Sequence, residues 1–252
     1  MTISKKIILL RHGQSAWNLE NKFTGWTDVE LTKNGENEAQ KAGELLLRDS
    51  FKIDTVYTSY LKRAINTSKI CLKALKQSNL KVIKNWRLNE RHYGALQGLN
   101  KSQVAKKHGD DQLLIWRRSY DTPPPKMDTN DRRHPRHDVL YKGIDPLALP
   151  SSESLKDTLD RVKPLWINDI LPKISNGKNL MIVAHGNSLR AIVKMLKNYS
   201  NQEILKLNIP TGVPYILKFS NEFKVLIDYY LGDEEEVLRK TNLVANQASS
   251  NN

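Results

Sequence analysis

Apolar residues in this 252-residue chain fall into short runs separated by stretches with helical spacing. Residues 5–10 end in Ile7-Ile8-Leu9-Leu10 and read as a buried strand that stops at Arg11-His12-Gly13. After the approach Leu31-Thr32-Lys33-Asn34-Gly35, apolar residues recur at Ala39, Ala42 and Leu46, which predicts a helix to about Leu47. A second strand is expected over 54–57, then a helix over about 61–75 and a strand near 80–83. Residues 178–184 form another apolar run, ending at His185-Gly186-Asn187, with a helix over 188–197 behind it. Strands over 215–219 and 224–228 complete the pattern. Such alternation predicts an α/β fold with a mostly parallel central sheet and helices on both faces. Ligands of these sheets sit beyond the carboxyl ends of strands, where His12 and His185 both fall.

The alternation fades between residues 91 and 150. Asp121-Thr122-Pro123-Pro124-Pro125 cannot continue a helix or a central strand, because prolines lack an amide donor and fix their own φ. The polar stretch that follows has few apolar anchors. One catalytic α/β domain is therefore expected over residues 1–231, with an insertion at about 91–150 that leaves the sheet and covers the site. From Gly232 the chain is acidic (Asp233-Glu234-Glu235-Glu236), then polar and small, the composition of a flexible tail over 232–252.

Composition narrows the function classes. At 39% hydrophobic the chain can bury a sizeable core. The four apolar residues before Arg11 are too few for a signal-peptide core or a membrane span. A single cysteine, Cys71, excludes an intrachain disulfide and a cysteine zinc cluster, so a reducing, cytoplasmic address without membrane association is expected. Forty Lys and Arg against 27 Asp and Glu give a net charge of +13. That excess admits nucleic acid, an acidic membrane surface or a small polyanionic substrate. The lysines are scattered singly and not interleaved with aromatics as in single-strand binders, so nucleic acid is at most a side activity.

The chemistry concentrates in a few segments. In Arg11-His12-Gly13-Gln14-Ser15-Ala16-Trp17-Asn18, a strand-end histidine precedes a glycine and stands beside a planar donor fork suited to phosphate oxygens. Ser15 and Asn18 would add neutral donors. Ala184-His185-Gly186-Asn187 repeats the arrangement at a second strand end, with Asn187 as a candidate helix cap. Arg63, early in a helix after another strand end, is placed to close a phosphate clamp. Trp86-Arg87-Leu88-Asn89-Glu90-Arg91-His92-Tyr93-Gly94 offers Glu90 as a general acid/base, with Arg91 and Tyr93 holding substrate. In Trp116-Arg117-Arg118-Ser119-Tyr120, adjacent helical side chains diverge by about 100°, so both arginines reach one ligand only if the helix end faces it. Arginines beside His12 and His185 oppose a dication, and His134-Pro135-Arg136-His137 reads as a surface loop. No metal is expected.

Taken in order, RHGQSAWN, FTGW, the Arg63 segment, WRLNERHYGALQG, WRRSYDTPPP, AHGNSLR and LNIPTGVP resemble the cofactor-dependent phosphoglycerate mutases of the histidine phosphatase superfamily. The resemblance runs from about residue 7 to 247. It implies that His12 takes and gives the phosphoryl group, that Glu90 moves the hydroxyl proton, and that Arg11, Arg63 and His185 surround the phosphoryl group. It also implies substrate binding by Gly13, Gln14, Ser15, Ala16, Trp17, Asn18, Thr24, Gly25, Arg91, His92, Tyr93, Lys101, Arg117, Arg118, Gly186 and Asn187. The implied reaction is glycolytic and gluconeogenic interconversion of 3- and 2-phosphoglycerate. It is primed by 2,3-bisphosphoglycerate without a metal, with minor bisphosphoglycerate phosphatase or synthase activity, in a homo-oligomer (dimer or tetramer). Residues 126–145 depart most from the family pattern and carry no implied role.

Three other readings compete with this one. A phosphatase of the same superfamily would have a shorter insertion before the second histidine. The bisphosphoglycerate mutase branch would have Gly at Ser15 and Cys-Ser at Thr24-Gly25. A silent scaffold would tolerate loss of His12, Arg63, Glu90 or His185, and all four are present. The tail resembles the family's tail, thought to close over the bound bisphosphate as a lid.

Overall fold

The computed structural model describes residues 5–246. From β1 (Lys5–Arg11) the chain passes through the short α1 (Ala16–Leu19) to α2 (Lys33–Arg48), β2 (Thr55–Thr58), α3 (Lys62–Ala74) and β3 (Val82–Lys84). The excursion holds α4 (Lys101–His108) and α5 (Asp110–Arg118). It returns through α6 (Leu155–Leu165) and α7 (Leu171–Ser175) to β4 (Leu180–Ala184) and α8 (Gly186–Lys197). Then follow α9 (Asn201–Lys206), β5 (Pro214–Phe219), β6 (Val225–Tyr230) and α10 (Glu234–Asn246).

One six-stranded sheet has the order β3-β2-β4-β1-β5-β6. The first four strands pair in parallel, with Ile7 opposite Leu180 and Arg11 opposite Ala184, as the alternation predicts. The late pair is antiparallel, because the Ser220–Lys224 turn is too short for a crossover. Alternation along the strands divides the core between two faces. Ile7, Leu9, Ile182 and Leu217 pack with Val162, Ile170, Leu189 and Ile192 on one side. Ile8, Leu10, Met181 and Val183 pack with Ala42, Leu46, Cys71 and Leu72 on the other. Both faces are covered, which is why Ile7-Ile8-Leu9-Leu10 is an unbroken apolar run.

Three regions differ from the pattern read along the chain. Residues 155–175 are helical, though no helix was expected there. Pro164 lies inside α6, and a π-helical turn over Trp166–Ile170 precedes Pro172, so two prolines mask the periodicity of a helix that buries Val162, Leu165, Ile170 and Ile174. The irregular stretch beyond the prolines buries Met127, His134, Tyr141 and Leu149, anchors too sparse to stand out in the sequence. Finally, the expected flexible tail is a helix as far as Asn246. Its acidic first turn suits the helix dipole, and Glu236 and Lys240 pair with Lys41 and Glu38 of α2. Residues 247–252 of that expectation lie outside the described residues. No helix among the described residues is long and apolar enough to cross a membrane.

Candidate active site

Because β1 and β4 are neighbours, their two terminal histidines meet. The His12 amide donates to the Ala184 carbonyl at 3.0 Å, and the His12 and His185 ring centroids stand 4.9 Å apart, edge to face. His12 Nδ1 lies 2.7 Å from the Gly13 carbonyl oxygen, which can only accept, so Nδ1 carries the proton and Nε2 keeps its lone pair. Arg63 Nε donates to that Nε2 at 3.3 Å, while its other nitrogens hold the Thr27 and Gly25 carbonyls at 2.9 and 2.8 Å. Burial first, then Arg63 and Arg11, hold the His12 ring well below its ordinary pKa. The same burial, with Arg63 and His12 beside it, lowers His185. His12 is thus a neutral imidazole with its nucleophilic nitrogen facing cations. His185 Nε2 shares a 2.8 Å hydrogen bond with Ser59 Oγ, and its buried Nδ1 has no hydrogen-bond partner among the described residues.

The loop carrying His12 is pressed against α2. A Cβ on Gly13 would fall 2.1 Å from the Gly35 carbonyl oxygen, and the Gly13 amide donates to Thr67 Oγ1 at 3.1 Å. Across the site, Glu90 Oε1 accepts the amides of Arg91 and Asn187 at 2.8 and 3.1 Å. Its Oε2 lies with the Arg11 guanidinium against Gly186, where a Cβ would come within 3.7 and 3.6 Å of them. Arg11 Nη1 in turn donates to the Ile209 carbonyl at 2.8 Å.

Arg91 reaches the last turn of α5, donating to the Trp116 and Arg117 carbonyls at 2.9 Å each. The helix end therefore faces the site, and both Arg117 and Arg118 line the cavity. Arg118 is tied to Asn208 Oδ1 at 2.6 Å, and Arg190 to Asn187 Oδ1 at 2.9 Å. Asn187 Nδ2 donates to the Tyr93 hydroxyl at 3.2 Å. Burial, then Arg117 and Arg11, push the Lys101 ammonium down to about 7. Burial and Arg118 push Arg190 to about 9. Seven cations (Arg11, Lys22, Arg63, Lys101, Arg117, Arg118 and Arg190) line this cavity against a single carboxylate, Glu90, among the described residues. The buried Nε atoms of Arg11 and Arg190 lack partners among the described residues. Donors left over in so cationic a cavity fit a ligand with several negative oxygens.

Of the expected residues, His12, Asn18, Thr24, Gly25, Tyr93, Gly186 and Asn187 also line the cavity. Gly13, Gln14, Ser15, Ala16, Trp17, Arg91, His92 and His185 do not. Ser15, expected as a ligand donor, caps α1 instead, its hydroxyl bonded to Asn18 Oδ1 at 3.0 Å. Gln14 Oε1 accepts from Thr32. His92 Nδ1 accepts the Gly94 amide at 3.0 Å, and burial with His134 beside it pushes the ring to about 3. Asn187 does not cap α8, which starts at Gly186; the Ser188 hydroxyl accepts the His185 amide there. Cavity residues not anticipated as ligands include Lys22, Arg190, Asn208, Ile209 and Val244. Arg190, Asn208 and Ile209 sit within the AHGNSLR and LNIPTGVP motifs, which were the available signal; Lys22 and Val244 had none. His134 and His137 bond Ser151 Oγ and the Thr129 carbonyl. The described residues hold no group of three His, Cys, Asp or Glu arranged for a metal.

Known proteins resemble this chain over most of its length. It is 54% identical to the 2,3-bisphosphoglycerate-dependent phosphoglycerate mutase of Bacteroides fragilis over 96% of this chain and 98% of that one. It is 51% identical to the protein of the same name from Parabacteroides distasonis over the same shares. Among solved structures, a mycobacterial glucosyl-3-phosphoglycerate phosphatase shares the fold at a TM-score of 0.65 and 24% identity, over 84% of this chain and 92% of that one. The family pattern of the histidine phosphatase superfamily (branch 1) matches residues 7–140 and 126–231. With two strand-end histidines, a cationic clamp and one opposing carboxylate already in place, the chain belongs to branch 1 of that superfamily.

Proposed function

We propose that this chain interconverts 3-phosphoglycerate and 2-phosphoglycerate in glycolysis and gluconeogenesis, primed by 2,3-bisphosphoglycerate, through phosphohistidine at His12. The observation that carries the proposal is the unprotonated His12 Nε2 held by Arg63 in a cavity of seven cations with one carboxylate. The names of relatives at 51–54% identity support the same reaction. His12 Nε2 forms a bond to phosphorus as the phosphorus–oxygen bond to the priming bisphosphate breaks, and Glu90 gives a proton to the departing oxygen. In reverse, Glu90 takes the proton of the attacking substrate hydroxyl as phosphorus returns to oxygen. Arg11, Arg63 and His185 surround the transferring group, and Lys101, Arg117 and Arg118 hold the substrate's other anionic groups. Positioning and charge do most of the work, as phosphoryl transfer requires.

The bisphosphorylated intermediate must turn over without escaping, and water must be kept from the phosphohistidine. Val244 of α10 lines the cavity, so we assign α10 the part of a lid. A homo-oligomer and a cytoplasmic address belong to the same proposal. Sedimentation velocity tests the former, and a purely monomeric profile refutes it.

The test is incubation with 3-phosphoglycerate, with and without catalytic 2,3-bisphosphoglycerate, in EDTA. Primer-dependent formation of 2-phosphoglycerate and an acid-labile, alkali-stable phosphate on His12 are expected. A label on another residue, or activity restored only by a divalent metal, sinks the mechanism.

A further inference from the structure

Glu90 is held from outside the cavity by a buried ion pair between Arg161 of α6 and Glu153, just before that helix. Arg161 and Glu153 leave only 8% and 4% of their side chains exposed and meet at 2.5 Å. The Arg161 fork does more than neutralise Glu153. It donates to the carbonyls of Arg87 at 2.5 Å, Asn89 at 3.0 Å and Glu90 at 2.9 Å. Glu153 takes the opposite end of the same loop, accepting the His92 amide at 2.8 Å, while its own amide donates to the His92 carbonyl at 2.8 Å. A third group, Trp26 Nε1, donates to the Glu90 carbonyl at 2.6 Å. The backbone on both sides of Glu90 is thereby fixed. With Oε1 taken up by two amides, one carboxylate oxygen is left for the cavity.

We infer that Arg161, with Glu153, is a positioning residue for proton transfer by Glu90, an inference that rests on the role of Glu90 proposed above. A general acid/base must sit within hydrogen-bond reach of the oxygen it serves, and displacements of about 1 Å suffice to slow such steps by about a hundredfold. The cations that bind the substrate are carried mainly by β1, α3, α4, α5 and α8. Arg161 touches none of the cavity-lining cations among its hydrogen-bond partners. Disturbing Arg161 should therefore move Glu90 and spare substrate affinity. A planar fork is needed for the role, since one ammonium cannot serve three carbonyls and a carboxylate.

The experiment compares Arg161→Lys, Glu90→Gln and the double variant for kcat, KM, single-turnover transfer from phosphorylated His12, and thermal melting. Arg161→Lys should lower kcat by about 10–100-fold with KM within about threefold. In the Glu90→Gln background, the same change should cost almost nothing further, because residues acting as one unit are not additive. A merely structural role would depress both backgrounds alike and raise KM. An unchanged kcat, or an equal loss in both backgrounds, overturns the inference. If Glu90→Gln alone keeps the wild-type rate, the assignment of Glu90 itself fails, a separate outcome. Should Arg161→Lys not fold, Trp26→Phe removes one donor to the same Glu90 carbonyl while keeping Arg161 and Glu153 themselves and an aromatic ring beside the Arg161 guanidinium. It must show the same kcat-selective, non-additive loss, and the inference fails if it does not.

Discussion

Replacing Lys240 by Met should loosen α10 from the mouth of the cavity. Lys240 Nζ stands 3.2 Å from Glu38 Oε1, with 13% and 9% of the two side chains exposed. At that distance the attraction is about 5 kcal/mol in an effective dielectric of about 20. Desolvation offsets much of it. Glu38 also keeps the Gln14 amide at 2.8 Å and the Thr211 hydroxyl at 3.1 Å, so it is not left without partners. The net loss should be about 2 kcal/mol, which multiplies the open population of α10 about 30-fold. Little else opposes opening, because Leu238 and Leu243 are more than half exposed and the Lys41–Glu236 pair is at the surface. Hydrogen exchange should therefore quicken over residues 234–246 while the global melt moves little. The mutase-to-hydrolysis ratio should fall, as it should when the chain is ended after Leu231. Faster exchange with an unchanged ratio would refute the lid. Unchanged exchange would refute the part given to Lys240.

Two further outcomes follow from particular contacts. Gly13→Ala puts a Cβ 2.1 Å from a backbone carbonyl of α2, which cannot step aside as a flexible side chain would, so the His12 loop must shift. Activity should fall by about 100-fold or more; kinetics within a few-fold of wild type would show the loop to be more pliant than its packing. His92 is buried and neutral, pushed to about 3, against about 6.5 in the unfolded chain. Below pH 6.5 the unfolded state binds a proton that the folded state does not, so stability is lost as pH falls from 6.5 towards 3, by about 1.4 kcal/mol per unit for this group. Urea unfolding at pH 7 and pH 5 should show a smaller loss in His92→Asn, whose amide oxygen still accepts the Gly94 amide; equal losses in both proteins count against a buried neutral His92.

The parts of this fold written as local periodicity were legible in the sequence. β1, β4 and the helices behind them follow from Ile7-Ile8-Leu9-Leu10 and residues 178–197, and with them the meeting of His12 and His185. Glu90 stood out as an acid among cations and aromatics. Less visible was whatever depends on a distant partner. Arg161 looks like one more basic residue on a helix interrupted by prolines, and only the fold brings Glu153 and three carbonyls to it. Ser15 shows the converse. Its hydroxyl looks available for a ligand, but local geometry gives it to Asn18. Val244 reaches the cavity from a polar segment because ion pairs, not apolar burial, dock its helix.

The pairing of β1 with both β4 and β5 has a consequence for the chain during synthesis. His12 is made early, yet the strand that seats it against His185 lies more than 160 residues further on, and the carbonyl that receives Arg11 is 198 residues away. Contacts so remote in sequence form late, because the loop between them must first be closed. Until β4 has left the ribosome, His12 has Arg11 and Arg63 in its own half of the chain but lacks His185 and the strand that seats it. Under the role proposed for His12, a partly made chain should not take phosphate from bisphosphoglycerate before β4 and β5 have joined β1.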